Sequence, residues 1–164
     1  MFKNIHEDYL RSIIFGFQDA LVSTTGVIVG VAIGTSDKHL VILAGVVTIT
    51  VEALSMGVGQ YMSEKSVHQL DRIGKHTDSL YVGGGLMFLS YFLGGLVPLT
   101  PIILLQLPLS STLSIVFALL GLVVLGYIKA KIVKVSPFKS ALEMLFLGGA
   151  TTAIGLIVGH IFKV

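Results

Sequence analysis

The chain has 164 residues, of which 54% are hydrophobic and only 12% charged, with no cysteine and a formal net charge of +2. A soluble domain of this size could not cover its surface with so few polar groups. The missing cysteine excludes disulfides and thiolate metal sites. Several apolar runs reach the roughly 20 residues that cross a bilayer as a helix, so the sequence predicts one all-α membrane domain with five transmembrane helices.

Residues 1 to 11 are polar and mixed in charge, with Lys3, His6, Glu7, Asp8 and Arg11. They suit a short amphipathic lead-in at the membrane surface and are too polar for a cleavable signal peptide. The first predicted span covers 12–34. At about 100° per residue, Ser12, Gly16, Asp19, Ser23, Gly26 and Gly30 share one face of it. Spaced small residues let another helix approach closely, and Asp19 sits within that close-packed face. Thr35 to His39 reads as a loop, with turn chemistry in Ser36-Asp37.

The second span is predicted over 40–62. Thr48, Glu52, Ser55, Met56, Gly59, Gln60 and Ser63 fall on one side of it, and Val51, Leu54, Val58 and Tyr61 on the other. Residues 63–79 follow as a short polar loop, with Glu64, Lys65, His68, Asp71, Arg72, Lys75, His76 and Asp78, and with Gly74 expected to break any helix. The third span, 80–105, carries Gly83-Gly84-Gly85 for helix packing, then Pro98 and Pro101, which should kink or end it. Pro108 to Ser111 reads as a tight turn before a fourth span over 112–134. Pro137 suits the first turn of a fifth helix, whose span is 140–162.

Five spans put the termini on opposite sides. With the N-terminus inside, the inner loops hold Lys3, Arg11, Lys65, Arg72, Lys75, Lys129, Lys131, Lys134 and Lys139, against Lys38 and Lys163 outside. That asymmetry predicts a cytoplasmic N-terminus and a C-terminus outside or in a lumen. The run K-A-K-I-V-K at 129–134 has no interleaved aromatics that would favour nucleic acid, and reads as an anchor on anionic lipid.

Two acids lie within the spans. Asp19 and Glu52 must face a partner, a cavity or an ion, since a carboxylate at such depth is costly alone. Burial favours a carboxyl's neutral form and a bound cation its ionised form, which is natural chemistry for exchanging protons against a metal. Met56 stands one turn after Glu52, and Gln60 one turn further. Carboxylate with thioether suits a moderately soft divalent metal such as ferrous iron. The plainer alternatives are core packing for Met56 and backbone satisfaction for Gln60. Ser23 and Ser55 are candidate supporting hydroxyls. Glu143 reads as a helix-start charge, with cation uptake as its alternative role. His68 and His76 read as solvated loop residues. No phosphate loop, H-E-x-x-H motif or nucleophile–base pair points to an enzyme.

F-G-F-Q-D-A-L-V-S-T-T-G at 15–26, A-L-S-M-G-V-G-Q-Y-M-S-E-K-S at 53–66, S-Y-F-L-G-G-L-V-P-L-T-P at 90–101 and G-Y-I-K-A-K at 126–131 together resemble the vacuolar iron transporter family. The resemblance implies a five-helix protomer in a homodimer. It implies export of ferrous iron, or manganese in some members, from the cytosol in exchange for protons, with no permanently bound cofactor. It places the pathway between the first spans of two protomers, with Asp19 as the metal-binding aspartate and Met56 as the second-span methionine. Many members carry an acid at the position of Thr48. Here Glu52, one turn on and on the same face, is expected to replace it. Ser12 stands where an acid is often found, and Gln60 where some members have Gly or Glu. Iron-transporting members often insert a long acidic helical domain between spans two and three, and only 63–79 stands there in this chain.

Three functions compete at this level: a proton-coupled metal exporter, a non-transporting scaffold or metal sensor of the same fold, and a passive channel. Two mid-membrane acids on small-residue faces favour the exporter. The compact chain favours a prokaryotic cytoplasmic membrane over a vacuolar one.

Overall fold

The computed structural model describes residues 7–70 and 79–163. Lys3 and His6 of the lead-in, and Asp71, Arg72, Gly74, Lys75, His76 and Asp78 of the polar loop, lie outside the described residues. Five helices follow one another: α1 (Glu7–Thr35), α2 (Lys38–Leu70), α3 (Leu80–Leu104), α4 (Leu109–Val133) and α5 (Pro137–Ile161). Each is long and apolar enough to cross a membrane. Large apolar side chains cover their outer faces, among them Val51, Leu54 and Val58 on α2 and Phe146 and Ile157 on α5. That surface fits lipid rather than water.

Several boundaries differ from the sequence expectation. Glu7 to Arg11 continue α1 without a break, so this part of the lead-in is no separate element. Helix α2 runs eight residues past the expected membrane limit, through Leu70, so Ser63–Leu70 is helical rather than loop. Its polar residues keep good helix propensity, and membrane thickness does not limit a helix that leaves the bilayer. The expected turn at Pro108–Ser111 lies instead at Leu107–Pro108, with Leu109 already helical. Helix α3 passes through both Pro98 and Pro101 and ends at Leu104. The Pro98 carbonyl accepts a hydrogen bond from the Ser114 hydroxyl of α4 at 2.7 Å, one of the side-chain contacts by which neighbours support a proline-containing span.

Helix α1 is the centre, packed against all four others. Among the described residues, α2 touches only α1 and α3, and α5 only α1 and α4. The connection from α1 to α2 is two residues, Ser36 and Asp37. Asp37 Oδ1 accepts from the His39 amide at 2.8 Å and starts α2. Ser79, just before α3, donates its amide to the Tyr9 hydroxyl at 2.7 Å. The starts of α1, α3 and α5 therefore share one end with the tails of α2 and α4. Among the described residues this basic end holds Arg11, Lys65, Lys129, Lys131, Lys134 and Lys139.

Three apolar clusters fill the bundle. Ile28, Ala32, Val41, Ile49, Leu99 and Ile102 join α1, α2 and α3. Leu21, Ala118, Leu122 and Met144 join α1, α4 and α5. Ala20, Ala53 and Tyr91 form the third, with Met56, Phe88 and Phe92 against them. The small-residue face of α1 is used inside the chain. A Cβ on Gly16 would stand 2.9 Å from the Met87 carbonyl of α3, and one on Gly30 3.1 Å from the Gly155 carbonyl of α5. Gly16 is thus buried against α3, and Gly30 is approached by α5 of the same chain while staying half-buried. A polar and glycine-rich stripe attracts any close helix, and in this chain the nearest helices are its own.

Candidate functional site

The third apolar cluster sits beside the two acids. Ala20 of α1 and Ala53 of α2 are fully buried, and their small side chains admit the whole ring of Tyr91 from α3, which is also fully buried. The Tyr91 hydroxyl lies 2.6 Å from Ser23 Oγ. Ser23 in turn donates to the backbone carbonyl of Asp19 at 2.7 Å. A buried tyrosine hydroxyl needs such a partner, and here the partner is the residue one turn after the aspartate. Asp19 and Glu52 are close enough for their charges to repel, and both act on the Tyr91 hydroxyl.

Asp19, Ser23, Glu52, Met56 and Tyr91 are therefore brought together from three helices. Asp19 and Met56 are half-buried and Glu52 is exposed on the surface of the single chain. Neither carboxylate has a hydrogen-bond or ion-pair partner among the described residues. Of the two candidate supporting hydroxyls, Ser23 holds the Asp19 backbone rather than its side chain, and Ser55 is exposed. Two free carboxylates with a thioether beside them are a cation-attracting set. Among the described residues no three His, Asp or Glu side chains converge on one point, so the single chain offers at most an incomplete shell for any divalent ion.

Asp19 also heads an open groove of about 760 Å³ between α1 and α5. Ser23, Gly26, Gly30 and Gly34 line it from α1, and Gly155 and Gly159 from α5, ending at Thr35 and Phe162. Glycines let the two backbones run close: a Cβ on Gly155 would stand 2.6 Å from the Gly26 carbonyl. The groove thus leads from the aspartate toward the bundle end opposite the basic one.

Other expected residues fall elsewhere. Gln60 does not face Glu52. Its amide donates to Glu64 Oε1 at 2.5 Å. Glu143 is exposed on the first turns of α5, away from this cluster, while its neighbour Met144 is core. Gly83 and Gly84 pack against α2, as expected for helix packing rather than phosphate binding.

A family model described as the VIT family matches the chain in two segments, residues 10–79 and 69–160. The chain belongs to the VIT family. It is similar to vacuolar iron transporter homolog 2 of Arabidopsis thaliana, 26% identical over 157 residues, covering 89% of this chain and 80% of the relative. It is also similar to vacuolar iron transporter 1 of Eucalyptus grandis, 23% identical over 207 residues (89% and 83%), and of Arabidopsis thaliana, 22% over 217 residues (95% and 87%). The last two alignments are longer than the 164-residue chain itself, so those relatives carry residues that this VIT protein lacks. The two family segments overlap at 69–79, where α2 ends and α3 has yet to begin. This is a short VIT protein, and its five apolar helices make it an integral, multi-pass membrane protein. The relatives are named for a vacuole, and the expected prokaryotic membrane finds no support in them.

Two residues of this VIT protein escaped the sequence reading. Tyr91 sits in an apolar, aromatic run where nothing marks one ring from the next. The signal was the adjacent Ser90-Tyr91 pair in a glycine-rich span. Glu64 was read as solvated because it lies past the membrane limit, yet it is buried. Its signal was its place four residues after Gln60.

Proposed function

We propose that this VIT protein exports a divalent transition metal, ferrous iron or manganese, from the cytosol in exchange for protons. The observation that carries this is the convergence of Asp19, Glu52 and Met56 around Tyr91, with both carboxylates unpaired among the described residues, Asp19 half-buried and Glu52 on the exposed face of an apolar span. A cation bound between two repelling carboxylates relieves their repulsion, and protons relieve it equally well. One site therefore serves either cargo, which is the requirement for exchange. The relatives named vacuolar iron transporters support metal as the cargo.

The incomplete shell supports a homodimer. A second copy related by two-fold symmetry would double the carboxylates and thioethers at an interface that includes the exposed Glu52. The excess of Lys and Arg at one end supports a cytosolic basic end, and so an outward route along the α1–α5 groove. Flux of manganese or ferrous iron into proteoliposomes, with a trapped pH dye, tests the proposal. Metal movement with opposing proton movement, lost in Asp19→Asn and Glu52→Gln, supports it. Metal movement without protons would indicate a channel. No flux from a folded protein would indicate a scaffold or sensor.

A further inference from the structure

Among the described residues, Glu64 is the only acidic side chain that is buried, at 5% exposure. Its carboxylate lies in the seam between α2 and α3 against Gly83. A Cβ on Gly83 would stand 2.5 Å from Oε2 and 2.7 Å from Oε1, so only glycine leaves room for the group. Oε1 accepts from the Gln60 amide. Oε2 is buried with no hydrogen-bond partner among the described residues.

The neighbours do not satisfy that oxygen. Gly83 lies just inside α3, where the helix dipole offers a partial positive charge. Yet the Val82 and Gly83 amides already donate to the Ser79 carbonyl, both at 3.1 Å. Among the described residues the adjacent Lys65 makes no ion pair, and it lies toward the Tyr61 ring, 6.0 Å from its centroid. A buried carboxylate with one neutral donor is costly, by several kcal/mol when ionised. A proton lowers that cost by neutralising the group, and a divalent cation at Oε2 lowers it while keeping the carboxylate ionised.

Position along the helix adds a second reason. Glu52, Met56, Gln60 and Glu64 follow at four-residue steps. Each step advances about 6 Å and turns about 40°, so the line winds from the exposed face at Glu52 to the α2–α3 seam near the basic end. Carboxylate, thioether, amide and carboxylate thus mark about 18 Å of helix, from the apolar span to its polar extension.

We propose that Glu64 and Gln60 form a second cation site, a capture station for a divalent transition metal at the basic end, distinct from the Asp19–Glu52–Met56 cluster. Glu64 supplies the carboxylate oxygens. The Gln60 amide has an acceptor as well as donors, so turning it presents its oxygen to the ion, and water fills the remaining positions. The station gives this short VIT protein a capture point in a chain without the extra residues of its longer relatives. Its place on the route rests on the transport reading, but binding at Glu64 does not.

Equilibrium binding of manganese to the purified full-length protein tests this directly. Wild type, Glu64→Gln and Asp19→Asn/Glu52→Gln are compared in the same detergent, with thermal unfolding as the folding control. The expected result is loss of one manganese per protomer, or a drop of about tenfold or more in its affinity, in Glu64→Gln. The double variant should keep that site. Glu64→Asp, which keeps the charge on a shorter arm, replaces Glu64→Gln if the latter does not fold, and is expected to weaken the same site. Manganese binding identical in wild type and the Glu64 variant overturns the proposal and leaves the carboxylate as a helix–helix lock. No binding by the wild type also overturns it. Binding lost in Glu64→Gln with no metal flux by the wild type upholds the station and removes only the transport reading.

Discussion

Replacing Tyr91 by Phe removes one oxygen atom from the centre of the candidate site. The ring itself stays, so the packing against Ala20 and Ala53 is kept and no cavity of consequence opens. What is lost is the 2.6 Å hydrogen bond to Ser23. Ser23 is not orphaned, because it still donates to the Asp19 carbonyl. The cost is therefore that of one net hydrogen bond, about 1 kcal/mol, rather than that of a stranded polar group. For a chain of this size that is a fall of roughly 2–4 °C in Tm. Tyr91→Ala, by contrast, empties the largest fully buried side chain and should cost about 3–5 kcal/mol. The hydrogen-bonded link from Tyr91 to Asp19 runs through Ser23, so Tyr91→Phe should raise the KM for manganese a few-fold and leave the maximal rate nearly unchanged. Thermal unfolding in detergent and uptake across a manganese concentration series measure both. Abolished flux in a variant of wild-type stability would refute this reasoning and make the hydroxyl a direct ligand or proton carrier.

Gly155→Ala places a methyl 2.6 Å from the Gly26 carbonyl, which is backbone and cannot rotate away. It should cost about 1–3 kcal/mol in thermal unfolding. Gly149→Ala, whose Cβ meets nothing within 4 Å, should be neutral or mildly stabilising. Asp37→Ala removes the acceptor for the His39 amide at the start of α2 and should cost about 1 kcal/mol, read the same way, with manganese flux retained. Glu143→Gln should change neither stability nor flux, because that side chain is exposed and outside the cluster.

The spans were legible because helix length is dictated by bilayer thickness, and the runs in this chain match it. The same rule misplaced the end of α2, since hydropathy reports where lipid stops and not where the helix does. Asp19, Glu52 and Met56 were legible as a group because helical spacing and the rarity of acids in apolar spans both point to them. Gln60 shared their face in projection but not in space, because four-residue steps drift around a helix and the drift carries it toward Glu64. The glycine face of α1 was visible, but spacing alone cannot say whether the close neighbour is another copy or the same chain. Here α3 packs on Gly16, and α5 approaches Gly30, which still lines the open groove. Tyr91 depended on a pairing between α1 and α3 that no local pattern encodes.

Manganese flux into proteoliposomes, with a pH dye trapped inside, tests the central claim most directly when wild type, Asp19→Asn and Glu52→Gln are run side by side. Manganese should move against protons in the wild type, and neither should move in either folded variant. Full exchange in both variants would contradict it, because the metal would then be crossing without the two carboxylates that define the site.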